Sequence, residues 1–92
     1  MRLKFIGIDP PTGTEGSPTV WVDEDAAELV IQGWRPEGEL HDAVEAWEVP
    51  GHAVGIPAHE AVIRIPARMV SMVREACDVA EAAELRGTAG NS

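Results

Sequence analysis

Tyrosine is absent from this 92-residue chain, and phenylalanine, cysteine, lysine and asparagine occur once each, as Phe5, Cys77, Lys4 and Asn91. A lone cysteine excludes an internal disulfide. Basic residues are scarce: 7 Lys and Arg stand against 16 Asp and Glu, a formal charge of −9. That balance argues against direct nucleic-acid binding, which needs a net basic footprint to displace counterions, and against an anionic membrane surface. Long apolar runs are missing too. Met1 to Pro10 holds no stretch of signal-peptide length, and nothing approaches a membrane span, so a reduced, cytoplasmic setting is the expectation. What is present is ordinary for a folded domain, with 45% hydrophobic and 25% charged residues. A chain of this length buries only ~60–65% of its unfolded surface, so the core is modest.

Leu3 to Ile8 is a short apolar run halted by Asp9-Pro10-Pro11, which reads as a strand, and Thr12 to Ser17 follows as a Gly-rich loop. Thr19 to Asp23 alternates, with Val20 and Val22 on one face and Trp21 on the other. Glu24 to Ala27 turns the chain into Glu28 to Trp34, where Leu29 and Ile31 oppose Val30, Gln32 and Trp34. Pro36 to Trp47 reads as a helix with Leu40, Val44 and Trp47 on one buried stripe. Val49 to His59, with two prolines and two glycines, is a loop, and Ala61 to Ile65 reads as a fourth strand. Pro66 opens the longest helix, Ala67 to Arg86, with Gly87 as its cap. Its apolar stripe is Met69, Val73, Ala76, Ala80 and Ala83, widened by Val70, Met72 and Cys77. The expected fold is a single α+β domain over residues 1–86, with a four-stranded, mainly antiparallel sheet and two helices in the order β-β-β-α-β-α. Residues 87–92 are expected to form a flexible tail.

Four constellations bear on function. Asp9, at the end of an opening strand, resembles the first metal-binding carboxylate of RuvC-type nucleases in the ribonuclease-H-like fold, whose members cleave phosphodiesters with two metals. Arg64 stands where a second carboxylate would be needed, so the expected role of Asp9 is a strand-ending turn. His41, His52 and His59 lie near Asp42, Glu45 and Glu60, but without His-Glu-x-x-His or paired-cysteine spacing, and no metal is expected. Thr12 to Gly16 lacks the Lys-Ser/Thr ending of a phosphate loop, and Cys77 has no activating neighbour and reads as a buried thiol. No catalytic or cofactor-binding residue is expected. The fourth constellation is apolar: Trp21, Val30 and Trp34 share the sheet face opposite Val20 and Val22, while Trp47 is expected in the core. Exposed aromatics are the usual anchors of protein interfaces.

Phe5-Ile6-Gly7-Ile8-Asp9-Pro10, Pro18 to Glu24, Gln32-Gly33-Trp34, Val62 to Met69 and Arg74-Glu75-Ala76 together resemble a group of small, acidic actinobacterial proteins. Members of that group accompany helix-turn-helix regulators in developmental gene clusters, and no enzymatic activity is attached to them. The resemblance spans roughly residues 3 to 78; the insert Pro50 to His59 and the Ala-rich stretch after Asp78 depart from it. It implies a regulatory accessory role. The resulting expectation is a non-enzymatic interaction module that binds a basic helix-turn-helix regulator or a second copy of itself, through Trp21, Val30 and Trp34. Direct contact with nucleic acid or membrane is not expected. The runner-up is a small metal-dependent phosphodiesterase with a reduced ribonuclease-H-like core.

Overall fold

The computed structural model describes residues 1–10 and 16–90. The fold is α+β: a three-stranded antiparallel sheet and two helices, in the order β-β-β-α-α. The strands are β1 (Leu3–Ile8), β2 (Thr19–Asp23) and β3 (Glu28–Gln32), with β2 in the centre. Helix α1 spans Gly38–Glu45; a 3-10 turn at Ala67–Met69 leads into α2, Val70–Gly90. Contacts gather the chain into two compact units, Met1–Gly33 with Ile65–Ser92, and Trp34–Arg64.

In the first unit the period-2 alternation of β2 sets the register. Val20 pairs with Ile31 and Val22 with Leu29, which places these four on one face. Helix α2 packs on this face, and Val20, Val22, Met69, Ala76 and Ala80 form the buried core, ringed by Ile6, Ile31, Ile65, Met72, Val73 and Val79. Full burial of Val20 and Val22 contributes about 1.5–3 kcal/mol each. The small residues Ala76, Ala80 and Ala83 bring the helix axis close to the sheet. The approach is tight at Gly7, beside a register shift in β1, where an added Cβ would lie 2.7 Å from Sδ of Met72.

The hairpin between β2 and β3 closes without an Asn-Gly or Asp-Gly pair. Oδ1 of Asp23 accepts from the backbone N–H of Asp25 at 3.0 Å and of Ala26 at 3.2 Å, an Asx turn. Ala27 takes the left-handed conformation, φ 56°. The amino-terminal end is tied to this turn. Arg2 donates from its backbone N and its Nε to the two carboxylate oxygens of Asp25, both at 3.0 Å, and Arg86 near the end of α2 reaches Glu24 at 3.2 Å.

Several expectations require correction. Ala61 to Ile65 is not a fourth strand. Only Arg64 pairs, in an isolated antiparallel bridge with Trp34 whose two N–H···O bonds are both 2.8 Å, so the order is not β-α-β-α. An apolar run between Pro57 and Pro66 has strand composition but finds no strand to extend a ladder with. Helix α1 is shorter than the predicted Pro36 to Trp47, because Glu37 is still extended (φ −128°, ψ 161°), and it buries no residue. Trp47, expected in the core, is 71% exposed. Helix α2 does not stop at Gly87 but continues to Gly90. Residues 87–90 of the expected tail are therefore helical, whereas residues 91 and 92, like most of the Gly-rich loop at 11–15, lie outside the described residues. Cys77 and Val70 are exposed rather than buried. At 100° per residue they fall outside the stripe centred on Ala76, which Met69, Met72, Val73, Val79, Ala80 and Ala83 already fill.

Candidate functional site

On the sheet face opposite α2, the registers place three apolar residues in a row across all three strands. Phe5 of β1 lies opposite Trp21 of β2, and Trp21 opposite Val30 of β3. Side chains paired directly across an antiparallel ladder have Cβ atoms about 4.5–5.5 Å apart, so the row is continuous. Phe5 is 56% and Val30 38% exposed, and Trp21 is half-buried between them. The pairing follows from the alternation that buries Val20 and Val22. Once those two point at α2, Trp21 has to point away.

Of the predicted interaction residues, the structure brings Trp21 and Val30 together. Trp34 is 43% exposed but belongs to the Trp34–Arg64 unit, where its backbone is held by the bridge to Arg64. Sequence reasoning missed Phe5 as a member of the row. The signal was available in the alternation of Leu3 and Phe5, but β1 could not be registered against β2 without knowing that the bulge falls between Phe5 and Gly7, which sends Gly7 to the face that α2 covers.

Asp9 occupies a different environment. Its side chain is buried, and its two oxygens accept from Nε and NH2 of Arg68, both at 2.7 Å, in a bidentate pair. Its backbone N–H donates to the carbonyl of Pro18 at 2.9 Å. The hydrogen bond from Arg68 holds the Asp9 carboxyl below the ordinary 3.8, with the guanidinium charge adding to it and burial opposing it. The same bond raises Arg68. The pair fastens the end of β1 to the 3-10 turn that starts α2, the geometry of a structural clamp rather than of an open metal ligand.

The histidines are peripheral. Nδ1 of His41 lies 3.5 Å from both Asp42 and Glu45, and Nε2 of His59 lies 3.6 Å from Glu60. Among the described residues no group of three or more His, Cys, Asp or Glu is placed to hold a metal ion, and no helix is long and apolar enough to cross a membrane. Comparison of the chain with protein-family models, curated proteins and solved structures finds no match.

Proposed function

We propose that this protein is a non-enzymatic interaction module, an accessory that engages a basic protein of the helix-turn-helix regulator class from a cytoplasmic location. The observation that carries this reading is the Phe5–Trp21–Val30 row. It is an apolar strip across a whole sheet face, left partly in water on a protein of charge −9. Aromatic rows of this kind provide desolvated contact area, and the surplus of carboxylates supplies attraction toward a basic surface. Recruitment through the bound regulator, not direct DNA contact, is the consistent route to a role in gene control, because the net charge opposes phosphate.

The test is parallel affinity isolation with the parent and a Trp21→Ser/Val30→Ser variant, followed by binding kinetics with the purified partner. The parent should retain a basic DNA-binding protein at low salt. The variant should lose it while its circular dichroism stays close to the parent's. Equal retention by both proteins would sink the reading, and so would an acidic partner. Concentration-dependent dimerisation of the parent alone, abolished in the variant, would reassign the row to self-association.

A further inference from the structure

Between Arg35 and Arg64 the chain holds no lysine or arginine, but it holds six carboxylates: Glu37, Glu39, Asp42, Glu45, Glu48 and Glu60. The helix in this segment, α1, is eight residues long and buries none of them. Helices shorter than about 12–15 residues are marginal in water, and those found in proteins are held by packing of their apolar face. Here that face is open. Leu40, Ala43 and Val44, with Trp47 just beyond the helix, and Val49 and Ala53 of the following loop, line an open cavity of about 400 Å³. That volume lies within the ~300–1,000 Å³ range of natural ligand pockets. Trp47 stands largely in water at this site, the state of an unengaged aromatic anchor.

We propose that this cavity is a docking groove for the apolar face of a basic amphipathic helix. The inference rests on the reading of the protein as a partner-binding module and adds a second set of contact residues to it. The shape follows from the lining. Residues 40, 43, 44 and 47 present one helical stripe, and the ridge of a second helix packs naturally into such a stripe. The sign of the partner follows from the charges. The lining itself carries no charge, and the stretch between Arg35 and Arg64 that supplies it holds six carboxylates and no lysine or arginine, so the surface around the groove is acidic. An anionic occupant, such as a fatty acid, a nucleotide or an acidic peptide, meets a segment in which six carboxylates outnumber the two arginines at its ends. A helix with lysine or arginine flanking its apolar residues meets a surplus of opposite charge.

The probe is a synthetic amphipathic peptide of leucine and lysine, about 18 residues or five turns long, with a leucine–glutamate peptide of the same pattern as control. Amide shifts of the isotopically labelled protein are followed by NMR. The leucine–lysine peptide should become helical on binding and should shift the amides between Leu40 and Ala53. Ala43→Gln fills the groove without changing charge at an exposed, helix-compatible position, and it should weaken binding about tenfold, as loss of a buried anchor site does. Glu39→Gln with Glu48→Gln should weaken it by a smaller factor and reduce its salt dependence. Trp21→Ser/Val30→Ser should bind the peptide as the parent does. The inference is overturned if Ala43→Gln binds like the parent, if the glutamate peptide binds equally, or if the lysine peptide does not bind. Saturation of the groove by tryptamine without peptide binding would make it a small-molecule site instead. Shifts confined to Phe5, Trp21 and Val30 would overturn this groove and leave the proposed function standing. A sheet-face variant that still binds the regulator would sink the function reading and leave the peptide result untouched.

Discussion

Asp9 has a carboxyl held below its ordinary value by Arg68, and this fixes how the residue contributes to stability across pH. A group whose folded-state pKa is depressed binds fewer protons folded than unfolded. Its contribution is therefore complete above the ordinary value of 3.8 and is lost as pH falls through the lower folded value. Asp25, held down by Arg2, acts in the same direction but at an exposed site, where solvent screens the pair. Asp9→Asn is accordingly expected to lower the melting temperature at neutral pH. The gap to the parent should narrow as the pH is taken down into the acid range, and thermal melts at a series of pH values read it. A gap independent of pH would mean that packing, not the ion pair, is what the substitution removes. The role of Asp9 as a local, strand-ending residue was readable from Asp-Pro-Pro. Its partner was not, because Arg68 lies 59 positions away and only the docking of α2 brings the two together.

At the scale of elements, the strands of the hairpin were legible and the ends and surroundings of the helices were not. Val20-Trp21-Val22 declares its two faces by alternation alone, because one face of the sheet has to be buried and a period of two leaves a single solution. Met69, Ala76, Ala80 and Ala83 likewise declare a stripe. The width of that stripe depends on how closely the helix lies on the sheet, which is why Val70 and Cys77 were misplaced. Ala61 to Ile65 shows the converse limit: strand composition is not a strand until a partner offers a ladder. Helix α1 shows it again, since the spacing of Leu40, Val44 and Trp47 is right for a helix but says nothing of what covers them. The hairpin turn holds a testable flaw. Ala27 sits at φ 56°, a conformation that costs an L-residue with a Cβ roughly 1 kcal/mol and glycine almost nothing. Ala27→Gly should therefore stabilise the protein slightly, by up to about 0.5 kcal/mol, after the greater freedom of glycine in the unfolded chain is set against the gain. Chemical denaturation measures it, and a loss of stability would place the turn in another conformation. On the helix side, Met69, at the end of the 3-10 turn that leads into α2, is fully buried in the core, and Met69→Ala should cost about 2–5 kcal/mol in the same experiment. A loss under 1 kcal/mol would show that α2 is not seated there.

For the molecule as a whole, the proposed function divides the work: charge is to govern encounter with the partner and apolar area its residence. Raising salt from about 0.05 to 0.5 M shortens the screening length from ~14 to ~4 Å. Association with a basic partner should slow over that range more than dissociation quickens, as surface-binding kinetics would register. An association rate unmoved by salt would remove the steering argument, and a gel shift of DNA by the purified protein alone would overturn the assignment. The bridge between Trp34 and Arg64 has a further consequence for how such a chain can change. Two residues hydrogen-bonded to each other across an antiparallel bridge have Cα atoms about 5.5 Å apart, so the entry and exit of the 34–64 segment form a narrow neck. Lengthening a closed loop adds only about 0.6 kcal/mol per doubling. A change of length between those two residues thus alters the entropy of closing the neck only slightly. Inserted or deleted residues inside the neck leave its two hydrogen bonds to be closed at nearly the same entropic cost, which makes the segment a natural place for length variation.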